Sequence, residues 1–291
     1  MILPKLALRN LLGRGLRTVL NVAVLSFAFV ALVASHGFIR GMDEQISRAM
    51  IDAEYAGGQY WHENYDPYDP LTLEDAHGGP EKPIQSMIDD GEATPILVVQ
   101  GSIYPGGRIR PVLLKGIDPR QTVVAIPSHV LDAGDEGLPA LIGGRMAKNT
   151  GLKQGDYVTV QWRDAAGTFD ARDARIVHIM KTTVQSVDNG QVWLPLAGLQ
   201  EMTLATGEAT LVIVGKDVKE TPVVPGWIFK DRDALLKNVR DMIESKMIGR
   251  AIIYFILLFL ARLAIFDTQV LSIFRRRKEI GTMMALGFTR G

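Results

Sequence analysis

Two stretches of this chain are too apolar and too long to be ordinary surface. Residues 18–39, TVLNVAVLSFAFVALVASHGFI, contain no Asp, Glu, Lys or Arg. As a helix these 22 residues span about 33 Å, the hydrocarbon thickness of a bilayer. Residues 251–274, AIIYFILLFLARLAIFDTQVLSIF, would span about 36 Å. That run carries Arg262 and Asp267, and its first half is almost purely apolar. A cleaved leader competes for the first run. A leader's apolar core is only about 7–15 residues long, which favours a retained span. A buried core helix competes for the second run. Its length and the basic block behind it favour a span there too.

The charge distribution follows these two runs. The net charge is zero, with 32 basic and 32 acidic residues. Residues 1–40 hold five basic residues and no acid, and residues 250–291 hold seven basic and two acidic ones. The middle, 41–249, is left with twenty basic and thirty acidic residues. Basic flanks of membrane spans stay in the cytoplasm. Lys5, Arg9, Arg14 and Arg17 precede the first run, and Arg275, Arg276, Arg277 and Lys278 follow the second. Both ends are therefore expected on the cytoplasmic side and the acidic middle outside. The lack of a basic excess argues against nucleic-acid binding. Without cysteine the sequence holds no disulfide, thiolate nucleophile or Cys-ligated zinc.

The expected fold class is thus a membrane protein with two transmembrane helices flanking a mixed α+β extracytoplasmic domain. Its parts are a cytoplasmic amphipathic segment (1–17), a first span (18–39), an outer domain (40–250), a second span (251–274) and a cytoplasmic segment (275–291). Within the outer domain, 42–56 has a helical pattern, and 57–83, rich in Gly, Pro, Asp and aromatics, reads as a long loop. Strands are expected at 95–104, 108–117, 121–127, 157–162 and 210–214. A helix at 143–150 should stop at Gly151. Strands at 175–187 and 191–194 are expected to form a hairpin around Asp188-Asn189-Gly190. Helices are expected at 196–204 and 231–249, the latter running on without proline into the second apolar run.

Motifs for catalysis or nucleotide binding are missing: there is no phosphate loop, no nucleophile elbow, no H-E-x-x-H and no dinucleotide fingerprint. No catalytic residue, cofactor or metal is expected, although His62, Glu63, Asp66, Asp69, Glu74, Asp75 and His77 cluster in the 57–83 segment. Arg262 and Asp267 each cost about 2.5–3.5 kcal/mol near a bilayer centre. Five residues apart, they face about 140° away from each other on a helix. They are expected to meet other helices, a partner subunit or water.

The segment after the second run, RRRKEIGTMMALG (275–287), resembles the signature that follows the second membrane helix of FtsX-like ABC-transporter permeases. This superfamily includes the lipoprotein-releasing, macrolide-exporter-type and cell-division permeases. LALRNLLGRGLRTVLNVAVL (6–25) resembles the family's entry into its first helix. LIGGRMAKNTGLKQGDYVTV (141–160), with VLLKGIDP (112–119) ahead of it, is similar to a pattern of the family's outer domain. The resemblance implies a non-catalytic permease subunit of the bacterial inner membrane. It implies a separate ABC ATPase partner, a second permease copy or paralogue, and a periplasmic carrier protein. It also implies that Glu279, Ile280, Gly281, Ala285, Leu286 and Gly287 couple the chain to the ATPase. Family permeases carry four membrane helices, so this sequence is expected to be a fragment or short form. A two-span receptor with an outer ligand domain is the alternative. Such receptors continue into a heptad-patterned helix, which 275–291 with Gly281 and Gly287 does not match. An anchored extracytoplasmic enzyme has no motif in its favour.

Overall fold

The computed structural model describes residues 16–132, 137–275 and 277–287. The amphipathic segment up to residue 15, and Arg276, lie outside them. Two compact units emerge, one of Met1–Asp43 with Val239–Gly291 and the other of Glu44–Asn238.

The first unit is helical. One helix runs Leu16–Met50, and another runs unbroken for 44 residues, Arg232–Arg275. The second apolar run thus lies wholly inside a helix that starts well before it. Among the described residues, one helix is long and apolar enough to cross a membrane, Val22–Tyr55. Its Phe27, Phe29 and Phe38 are exposed, as are Phe255, Leu257 and Phe259 of the long helix. Within this unit the Tyr254 hydroxyl is hydrogen bonded to Ser35 Oγ, which pairs the two helices. A short helix, Arg277–Ala285, follows.

The second unit is built on nine strands in one sheet: β1 (Gly58–His62), β2 (Ala93–Ile103), β3 (Arg110–Ile117), β4 (Leu138–Gly143), β5 (Tyr157–Arg163), β6 (Phe169–Met180), β7 (Gln191–Pro195), β8 (Leu211–Val214) and β9 (Trp227–Asp231). Their order is β3-β7-β4-β6-β5-β2-β8-β1-β9, and β2 also pairs with β3. The first six therefore close into a small barrel, from which β8, β1 and β9 extend. Strand β2 is long enough to serve both. It meets β8 over Ala93–Ile96, β5 over Gly101–Ile103 and β3 along its other edge.

Period-two alternation sets the faces. In β5, Val158, Val160 and Trp162 point inward, while Tyr157 and Arg163 stay exposed. The barrel interior is filled by Leu97, Ile103, Leu114, Ile142, Ile176 and Leu194, among others, and is plugged by Leu199 of the helix Leu196–Thr203. The opposite faces of the same strands, with Ile96, Val98, Leu141 and Trp193, form a second core that takes in Ala53 and Ala56 from the end of the first long helix. A third core lies under the extension, where Tyr60 and Trp227 pack on Ile84 and Met87.

Several expectations are corrected here. The 57–83 segment is not a long loop. It contains β1, a 3-10 turn at Pro70–Glu74 and a helix at Lys82–Asp89. Asp69 caps the 3-10 turn, its carboxylate accepting from the Leu71 N–H at 3.0 Å. Residues 121–127 do not form a strand, because the Gln121 side chain replaces a ladder partner. Its Oε1 accepts from Val124 N–H, and its Nε2 donates to the Val124 and Ile126 carbonyls. The expected hairpin at 188–190 is also absent. Strand β6 ends at Met180, Gln185–Gly190 is helical, and β7 pairs in parallel with β3. Strand β9 had no counterpart in the sequence expectations.

Candidate functional site

The residues implicated by sequence fall in the helical unit. Arg262 and Asp267 both lie in the helix Arg232–Arg275, and the Arg262 side chain is exposed. Glu279, Ile280, Gly281 and Ala285 lie in the helix Arg277–Ala285, and Leu286 and Gly287 form the turn that ends it. Gly287 takes φ 91°, the left-handed conformation that suits a glycine at a helix end. Its N–H donates to the Met284 carbonyl at 3.1 Å. Met283, Met284 and Leu286 are all exposed, so this short helix carries an open apolar surface beside Lys278. The segment is brought together by local helix geometry alone.

The domain holds a polar cluster that the sequence expectations missed. At the end of the first long helix the backbone widens into a π-turn, Ile51–Tyr55. Glu54, in this turn, is buried against the outer face of the barrel. Its Oε1 accepts from Lys115 Nζ at 2.6 Å and from Gln191 Nε2 at 2.8 Å, and its Oε2 accepts from Ser186 Oγ at 3.2 Å. The Glu54 carbonyl accepts from Gln59 Nε2 at 2.7 Å. The Lys115 ammonium also sits 5.1 Å from the Trp193 ring centre, within cation–π range.

Burial, the largest influence on the Glu54 carboxyl, would raise its pKa. The Lys115 charge and the hydrogen bonds from Lys115, Gln191 and Ser186 together outweigh it and leave the group below the ordinary carboxylate value. Nearby, burial pushes the Tyr65 hydroxyl up to about 12, with the Glu54 and Asp66 charges adding to the effect. Tyr55 is raised for the same chief reason. Gln191 Oε1 and Trp193 Nε1, on one face of β7, are buried without a partner among the described residues. In the sequence Glu54 is one of four acidic residues in the helical pattern 42–56, and nothing local links it to Lys115, 61 positions away.

The domain also has a groove of about 530 Å³ where β2 and β5 part, lined by Leu73, His77, Gln100, Ser102, Trp162 and Arg163 among others. Several of its polar groups are already engaged. His77 Nδ1 pairs with Glu208, Arg163 Nη1 bonds Glu74 at 2.6 Å, and Gln161 Oε1 accepts from the Tyr104 hydroxyl at 2.6 Å. Among the described residues, no three His, Asp or Glu side chains converge in a way that would hold an ion.

No family model matches the sequence, and no curated protein matches it. Among solved structures, the chain is similar to the extracellular domain of the noncanonic ABC-type transporter YknZ from Gram-positive bacteria. The identity is 15% and the TM-score 0.34, over 55% of this chain and 83% of that one. It is also similar to the periplasmic region of MacB from Actinobacillus actinomycetemcomitans, at 10% identity and a TM-score of 0.42, over 66% of this chain and 95% of that one.

Proposed function

We propose that the chain is the permease subunit of an ABC transport system of a bacterial inner membrane. In this reading 18–39 and 251–274 both span the bilayer and both ends lie in the cytoplasm. The acidic unit stands outside, and a separate ATPase docks on 279–287. The chain itself is non-catalytic. The observation that carries the reading is the pairing of one unbroken helix, Arg232–Arg275, with the exposed Met283, Met284 and Leu286 directly after it. A rigid rod ending in an apolar cytoplasmic knob suits a part that must receive motion from a partner. The resemblance of 275–287 to the permease signature points the same way. The cargo class in this reading is a lipoprotein, lipid or other amphiphile, moved with a second permease copy and a periplasmic carrier.

The test is purification of the tagged chain from detergent-solubilised membranes together with a nucleotide-binding subunit that hydrolyses ATP. Gly287→Asp, which forces a side chain into φ 91°, and deletion of 279–287 should each abolish that association. An ATPase that stays bound in both variants would overturn the reading.

A further inference from the structure

Four features coincide where the first long helix hands over to β1. The helix ladder gives way to the π-turn Ile51–Tyr55, closed by the Ala56 N–H donating to the Ile51 carbonyl at 2.7 Å. A wide turn of this kind closes a helix at its C-terminus, and here it leads straight into the sheet. Ala56 then adopts φ 43°, ψ −110°, a sparsely populated conformation for a residue with a Cβ. Gly57 follows, pressed so close to β8 that a Cβ would stand 2.1 Å from the Gly215 carbonyl oxygen, while its N–H donates to the Val214 carbonyl at 2.7 Å. Finally, Glu54 sits inside the π-turn with its carboxylate held by Lys115, Gln191 and Ser186.

These features are mutually dependent. Continuing the α-helical ladder through 51–55 would tighten the turn and rotate the chain that follows by up to about 100° relative to the helix. Glu54 would then leave Lys115, and Ala56 would be free to relax. The strained turn persists only while its surroundings hold it, and the ion pair is the strongest polar hold on it.

We propose that Glu54 is a latch: bound to Lys115, Gln191 and Ser186, it keeps the π-turn formed and makes residues 44–56 move with the barrel as one body. Released, the turn reverts to α-helix and the barrel slips in rotation against 44–50. In the transport cycle this makes Glu54 a positioning residue for passing motion to the outer domain, and that consequence rests on the permease reading. The latch itself is a property of this chain alone.

The test uses the full chain in detergent, where the absence of native cysteine permits clean labelling. Spin labels are placed at the exposed positions Gln45→Cys and Gln100→Cys, and amide hydrogen exchange is followed in parallel. With Glu54 intact, one narrow distance population is expected. Glu54→Gln and Lys115→Met should each give a second population, and the amides of 51–57 should exchange about tenfold faster over and above any rise they share with β4 to β7. Ser186→Ala removes the longest bond and leaves the ion pair, so it should shift both readouts the same way by a smaller amount. If Glu54→Gln fails to fold, Ser186→Ala decides. A single unchanged distance, or exchange that rises equally across the barrel, would overturn the latch. Failure of an ATPase to bind the unmodified chain would sink the permease reading and leave these readouts untouched.

Discussion

Replacing Gly143 by Ala tests the packing logic of the domain most directly. Gly143 ends β4 and precedes the helix Gly144–Thr150. A Cβ built there would lie 2.4 Å from both the Cα and the carbonyl oxygen of Asp188. Carbon atoms pack at about 3.5–4.0 Å, so the helix Gln185–Gly190 would have to retreat by roughly 1 Å. Its neighbours are backbone, which cannot rotate away. Overpacking of this kind costs about 1–3 kcal/mol. The retreat would also withdraw the Asp188 carboxylate, whose Oδ1 accepts from the Arg145 N–H at 3.0 Å in the first turn of the helix Gly144–Thr150. A lost cap adds about 1 kcal/mol. For a domain of this size each kcal/mol moves the midpoint by about 2–4 °C, so Gly143→Ala should lower Tm by roughly 5–15 °C.

The assay is thermal unfolding of the detergent-solubilised chain, read by the fluorescence of buried Trp162 and Trp193. Gly144→Ala is the internal control. Its Cβ would meet nothing closer than 3.6 Å, and it sits in a helix where alanine is favoured over glycine by about 1 kcal/mol. It should leave Tm unchanged or raise it. Equal midpoints for the two variants would refute the claim that close approach requires Gly143.

Gly57→Ala places a Cβ 2.1 Å from the Gly215 carbonyl oxygen and should lower Tm further still, whereas Gly79→Ala, with nothing within 4 Å, should not. Glu54 has a folded-state pKa below the ordinary 4.5, so its stabilising contribution is complete above that value and is lost as pH falls through the folded value. Removing one partner of a buried pair costs about 3–5 kcal/mol. Urea unfolding should therefore show Glu54→Gln well below the native chain at neutral pH, with the gap narrowing in acid. On the permease reading proposed above, in which 251–274 spans the bilayer, an Asp267→Leu variant should insert at least as well as the native chain, because it removes a charge costing about 2.5–3.5 kcal/mol in lipid. If Asp267 faces a helix partner, that variant should run as a smaller complex in native electrophoresis.

Much of the domain's local structure was legible in the sequence. Gly151 ends its helix at φ 77°, and Tyr157–Arg163 alternates as a strand should. Those features depend on a residue's own conformational preferences and on neighbours a few positions away. Strand β1 was not legible. GQYWH has little β-branched character, and it becomes a strand because β8 and β9 pair with both its edges and Tyr60 finds an apolar bed. Gln121 shows the reverse case, where a β-prone run loses its strand because one side chain satisfies the backbone first.

The division follows from the range of the forces involved. Hydrophobic length and the placing of charge along the chain are properties of continuous segments, so the two apolar runs, the basic flanks and the acidic middle could be read without coordinates. The closed barrel, the close approach at Gly143 and the cluster around Glu54 join residues far apart in sequence. Lys115 is 61 positions from Glu54 and Gln191 is 137. A buried carboxylate is tolerable only where such distant partners converge on it, and that convergence exists only once the sheet has closed.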